Sequence, residues 1–142
     1  VATAKSFNSQ NYENAYVVGL KDFAVATSGD YRNFFYYNDK RYSHTISPKT
    51  GYPVEHSLTS ATVFHHSCMH ADALATAIMA MGERKGLNFA NENNLAVVLF
   101  VREDNTSFRA LLSDEAQKLL ENKWQFSPGK EQSAAFCRTG SK

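Results

Sequence analysis

Short apolar runs separated by turn-forming residues fill the first half of the chain, and longer blocks follow in the second. Residues 1–13 are polar and mixed, which predicts a flexible lead-in. Asn14–Leu20 and Phe23–Thr27 read as strands, with Lys21-Asp22 at the turn between them. Thr27–Tyr31 brings small and turn-forming residues that interrupt the pattern. Tyr31–Tyr37 is aromatic and β-prone, Asn38-Asp39-Lys40 turns, and Arg41–Ile46 pairs back. Pro48–Pro53 is a rigid turn cluster, and Leu58–His65 is a further strand. The clearest helix covers His70–Met81 and stops at Gly82. In it Leu74, Ile78 and Met81 predict the buried stripe, while Asp72 and Thr76, four apart, share another face. A second helix is expected over Glu83–Asn91, strands over Leu95–Val101 and Ser107–Leu112, and a last helix from the Ser113 cap to about Asn122. Strands first, then helices with a hairpin, predict an α+β fold with a largely antiparallel sheet and helices packed on one face. The organisation is a lead-in over 1–13, one domain over 14–126 and a polar tail over 127–142, without repeats or low-complexity segments.

Composition narrows the classes. At 142 residues, 43% hydrophobic and 20% charged, the chain suits one globular domain or half of a larger one. A net charge of +1 with no basic run predicts no nucleic-acid partner and no electrostatic docking to membranes. The longest apolar run, Leu95–Val101, is far short of the about 20 residues that span a bilayer. Cys68 and Cys137 are too few for a disulfide scaffold and take no assigned role.

Three clusters carry candidate chemistry. Asp72 and Thr76 offer a carboxylate and a hydroxyl converging on one point, hard oxygen donors of the kind magnesium prefers. The plainer alternative is an acid answering the helix dipole and a threonine bonded back to its own turn. His44 opens a loop framed by Pro48, Gly51 and Pro53; it offers an imidazole for hydrogen bonding or proton transfer, and backbone N–H groups for phosphate. A structural histidine beside a turn is the alternative. Ser28-Gly29-Asp30, where a strand breaks, is either a small-molecule loop or a turn. His65, His66, Cys68 and His70 crowd together, yet their spacing fits no structural zinc pattern. The aromatic stretch Phe34–Tyr37 is expected to put one face in the core, the alternative being an interface.

Taken together and in order, these clusters resemble the C-terminal half of the ApbE family, over about Ala15 to Trp124. That family carries an ATSGDY-like segment, an H-I-x-[DN]-P-x-T-G-x-P loop, and an A-D-A-L-A-T-A helix followed by glycine. Here stand Ala26-Thr-Ser-Gly-Asp-Tyr31, His44-Thr-Ile-Ser-Pro-Lys-Thr-Gly-Tyr-Pro53, and Ala71-Asp-Ala-Leu-Ala-Thr-Ala77 with Gly82. The family comprises FAD:protein FMN transferases, formerly described as thiamine-biosynthesis lipoproteins.

The resemblance implies a T-fold-like half that takes part in cleaving FAD with magnesium. AMP is released, and FMN is placed through a phosphoester on a Thr or Ser of a target flavoprotein, typically a subunit of a respiratory electron-transfer complex. It implies Asp72 and Thr76 as metal ligands, with Asp72 and His44 catalytic. His44, Thr45 and Ile46, with Ser28, Gly29 and Asp30, would line the FAD site. Two positions depart from the pattern: Ala75 stands where some members have a second Asp, and Ser47 where Asp or Asn is usual. Family members are roughly twice as long, so a missing N-terminal half is expected to complete the site. A periplasmic or inner-membrane lipoprotein parent is also implied.

Overall fold

The computed structural model describes residues 2–4, 14–17, 21–30, 34–38, 40–104 and 107–121. Its elements are β1 (Ala2–Ala4), β2 (Asn14–Val17), β3 (Ala24–Gly29), β4 (Phe34–Tyr37), β5 (Lys40–Ser43), β6 (Leu58–His65), α1 (Cys68–Met81), α2 (Glu83–Glu92), β7 (Ala96–Arg102), β8 (Phe108–Leu112) and α3 (Asp114–Glu121). A four-stranded antiparallel sheet in the order β3-β6-β7-β8 forms the centre, and β1-β2 and β4-β5 are separate antiparallel pairs. The α+β expectation with an antiparallel sheet holds.

The central strands β6 and β7 are buried almost throughout because both faces of the sheet are covered. Along β7, Val97, Leu99 and Val101 join a cluster with Ala71, Ala75, Ile78 and Met79 of α1 and Ala90 of α2. Val98 and Phe100, at the intervening positions, join Phe64, Ala116 and Leu120. The alternation of a strand thus sends successive side chains into two cores. The helices, expected on one face, therefore divide: α1 and α2 lie on one side and α3 on the other.

Helix α1 starts at Cys68, two residues before the expected start, because the Ser67 side chain caps it by accepting from the His70 N–H. Its buried stripe also differs from the expected one. Ile78 is buried, but Leu74 is only half-buried and Met81 is exposed, and the remaining buried positions are Ala71, Ala75 and Met79. Small side chains face the sheet because they let the helix axis come close to it. Gly82 ends the helix as expected, with φ 80° and ψ 172°, and its N–H bonds to the Ile78 carbonyl. The Ser113 cap is also as expected. Its Oγ donates to the Leu95 carbonyl at 2.6 Å and accepts from Val97 N at 2.9 Å, which joins the start of α3 to β7.

Three further differences bear on the site or its surroundings. Within the expected lead-in, Ala2–Ala4 forms a strand that pairs with β2; the rest of 1–13 lies outside the described residues, as does the tail over 127–142. Strand β3 runs through Ser28 to Gly29, and Asp30 N still bonds to the Thr59 carbonyl at 3.0 Å, so the small residues continue the ladder they were expected to break. The hairpin stretch expected to be half in the core shows Phe35, Tyr36 and Tyr37 at 52%, 66% and 64% exposure. It pairs only with β5 and takes no place in the central sheet.

Candidate functional site

Two elements build the site's floor. Strand β3 pairs with β6 from Ala24 opposite His65 to Gly29 opposite Ser60, and α1 packs against both strands. The alanine stripe brings the helix close enough for side-chain contact across the gap. Ser28 Oγ lies 3.0 Å from Thr76 Oγ1, either hydroxyl donating. One residue away, Thr27 Oγ1 meets Thr62 Oγ1 at 2.8 Å, which ties β3 to β6. Asp72, one helical turn before Thr76, is exposed, as Thr76 is. Asp72 lies past the first turn of α1, which holds no acid, so the helix-dipole reading does not account for it. Thr76, for its part, bonds across to the strand, and not back to its own turn as the plainer alternative had it.

Ala75, where some relatives of this motif have an acid, is buried in the core and cannot add a donor to this face. Ala71 is buried likewise, so these flanking alanines serve the packing of the helix and leave the exposed face to Asp72, Ala73 and Thr76. Asp30 is buried at the end of β3, and Gly29 pairs with Ser60. The Ser-Gly-Asp segment is thus held along β6, with Ser28 reaching α1.

The His44–Pro53 loop closes on itself. Ser47 N bonds to the Tyr52 carbonyl and Gly51 N to the Ser47 carbonyl, both at 2.9 Å; Val54 N reaches the Thr45 carbonyl, also at 2.9 Å. Thr45 N is taken by Ser43 Oγ, Lys49 N by Ser47 Oγ and Tyr52 N by Thr50 Oγ1. Most of the backbone N–H groups expected to meet phosphate are therefore already used, and the loop presents side chains: His44 and Ile46 are exposed and Thr45 is half-buried. The departure at Ser47 is explained by the same bonds. Its hydroxyl accepts from Lys49 N at 3.3 Å, the turn-closing bond that Asp or Asn makes at such positions, so the loop keeps its turn.

The zinc alternative fails on geometry. His66 stacks on Phe23, with its Nδ1 3.1 Å from the Asp22 carbonyl, and His65 Nδ1 accepts from Ser67 N. Among the described residues no three or more His, Cys, Asp and Glu side chains could share a metal. The donors at Asp72, Thr76 and Ser28 are all oxygen. That chemistry suits magnesium with water and phosphate oxygens filling the other positions, and suits a thiolate- or imidazole-seeking metal poorly.

Sequence reasoning missed one residue of the loop. His56 reaches α1 through a 2.7 Å contact between its Nε2 and the Met79 carbonyl. Its only signal in the chain is its place between the Pro-Gly-Pro loop and β6, and that says nothing about a carbonyl 23 residues away.

Comparisons with known proteins bear on the family and the fold. The ApbE family model matches residues 1–99, which include every residue of the candidate site. A Haemophilus influenzae protein named FAD:protein FMN transferase is 48% identical over 107 residues, 75% of this chain and 31% of that protein. The Escherichia coli K12 protein of the same name is 36% identical over 120 residues, 84% of this chain and 34% of that protein. The chain thus spans about a third of the length of the curated relatives it matches. Among solved structures, the flavin transferase ApbE of Vibrio cholerae superposes with a TM-score of 0.68 at 36% identity, covering 83% of this chain and 36% of that one. The Pseudomonas stutzeri flavinyl transferase ApbE gives 0.64 at 42% identity, covering 70% and 31%. On sequence and on fold, this chain belongs to the ApbE family.

Proposed function

We propose that this chain is the C-terminal part of a magnesium-dependent FAD:protein FMN transferase. The observation that carries the reading is the Ser28–Thr76 contact, which holds the Ser-Gly-Asp end of β3 against the exposed Asp72–Thr76 face of α1. The relatives named for that activity support the same reading.

In the proposed reaction the hydroxyl oxygen of a target Thr or Ser forms a bond to the FMN phosphorus of FAD. The bond from that phosphorus to the AMP phosphate breaks, AMP leaves, and the hydroxyl proton passes to a base. Such transfer depends on positioning and charge neutralisation more than on covalent help from the protein. Asp72 and Thr76 would hold the magnesium, with Ser28 beside them. When bound, the ion offsets phosphate charge and orients the oxygens. His44, exposed at the start of its loop, donates to a phosphate oxygen or takes the hydroxyl proton. Thr45 and Ile46 line the flavin side of the same loop, and Gly29 and Asp30 close the strand end. The rest of the polypeptide, absent here, completes the site. The target is a flavoprotein subunit of a respiratory electron-transfer complex, met in the periplasm or at the inner membrane by a lipid-anchored parent.

The test is a FAD titration by flavin fluorescence, with magnesium and with EDTA, on the full-length protein and its Asp72→Asn variant, followed by transfer to a target protein. Magnesium-dependent binding and transfer, both lost in the variant, are expected. Unchanged transfer by Asp72→Asn would sink the reading. A second reading, a module that packs against a partner without catalysis, is favoured by the exposed Phe35, Tyr36 and Tyr37. It predicts self-association and no flavin affinity.

A further inference from the structure

His56 stands outside the donors described above, yet its side chain ties the stem of the His44–Pro53 loop to the helix that bears Asp72 and Thr76. Its Nε2 lies 2.7 Å from the Met79 carbonyl. A carbonyl only accepts, so Nε2 carries the proton. Met79 sits in the last turn of α1, where Gly82 breaks the helix and carbonyls need partners from outside it. The ring also fills the space beside that break. A Cβ on Gly82 would come within 2.9 Å of His56 Cδ2, so a glycine here gives the imidazole room.

Packing alone does not account for a histidine in this place. Nδ1 is buried with no hydrogen-bond partner, a defect that a phenyl ring of similar size would not carry. What the imidazole adds over a phenyl is the single bond to Met79. The loop it steadies is tightly closed within itself, so fixing the stem fixes the whole loop as a unit. The same stem is bound to the sheet next door: Arg102 N bonds to the Ser57 carbonyl at 2.8 Å.

We propose that His56 is a positioning residue that locks the His44–Pro53 loop to the C-terminal turn of α1, so that His44 and the Asp72–Thr76 face keep one spacing. The inference rests on the flavin-transferase reading for its purpose, but the tie itself can be tested without flavin. Nitrogen-15 NMR of the 142-residue chain should show His56 with its proton on Nε2 and in slow exchange with water. A proton on Nδ1, or rapid exchange, overturns the proposal, and this measurement needs no variant. His56→Phe keeps the bulk and removes the donor; His56→Gln keeps a donor at about the Nε2 position. Amide exchange across Thr45–Val54 should quicken about tenfold in His56→Phe and stay within about threefold of wild type in His56→Gln. In the full-length protein, the magnesium-dependent dissociation constant for FAD should rise about tenfold in His56→Phe and recover in His56→Gln. Equal behaviour of the two variants, or unchanged loop exchange in His56→Phe, overturns the positioning role. If the wild-type protein binds no FAD, the transferase reading fails while the exchange and NMR results still decide the tie.

Discussion

Single side chains decide the chemistry here, and Thr76 is the most exacting of them. Its hydroxyl is exposed on α1 and meets Ser28 across the gap to β3, so it adds little to folding but sits where a cation would be held. Thr76→Val keeps the shape and removes the oxygen. Its urea midpoint should shift by no more than about 0.5 kcal/mol, as at most surface positions. Magnesium-dependent FAD affinity of the full-length protein should fall roughly tenfold or more. A large stability loss with unchanged affinity would make the Ser28–Thr76 pair a structural contact. Asp72, Thr76 and His44 stand out in the chain as candidates through motif and spacing. Their surroundings do not. That Ala75 turns into the core, or that the loop's N–H groups are spent on nearby carbonyls and hydroxyls, depends on how the backbone closes in three dimensions.

Elements with a strong local signal were read well, and those defined by distant partners were not. The continuous apolar run of β7, the Ser113 cap and the Gly82 stop all encode themselves within a few residues. The stripe of α1 did not, because size ranking points to Leu74 and Met81 whereas close approach to the sheet selects alanine. Strand β1 escaped notice because Ala2–Ala4 is too short for a period and is defined only by its pairing with β2. The junction between α1 and α2 yields a prediction at this scale. At φ 80° and ψ 172°, Gly82 sits in backbone space that other residues reach only under strain, and a methyl group there would also press on the His56 ring. Gly82→Ala should cost about 1–3 kcal/mol in urea unfolding with the m-value unchanged. A neutral substitution would show that the break between the helices can relax.

At the scale of the molecule, the central sheet is well covered and the β4-β5 hairpin is not. Phe35 stacks on Tyr42 with ring centroids 5.4 Å apart, while Tyr36 and Tyr37 stand open to solvent. Exposed aromatics in a cluster favour association. Sedimentation velocity over a range of concentrations should show the 142-residue chain self-associating more than a Phe35→Ser, Tyr37→Ser double variant. The urea midpoint of the two should agree within about 0.5 kcal/mol, since the hairpin lies outside the sheet. Identical sedimentation would assign the aromatics to the hairpin's own stability.

The pairing of β3 with β6 reaches beyond the site it supports. These strands are neighbours in space, and Asp30 N to the Thr59 carbonyl closes the ladder where the chain leaves and returns. Everything between, the aromatic hairpin and the histidine loop alike, is a detour from a sheet that would be complete without it. Closure entropy grows only with the logarithm of length: shortening such a detour about sevenfold would lower the cost by only about 2 kcal/mol. The scaffold is therefore nearly indifferent to what the detour contains. Mutation can lengthen, shorten or rewrite it while the sheet keeps folding, so the fold leaves the segment proposed to meet the flavin open to change at its own pace.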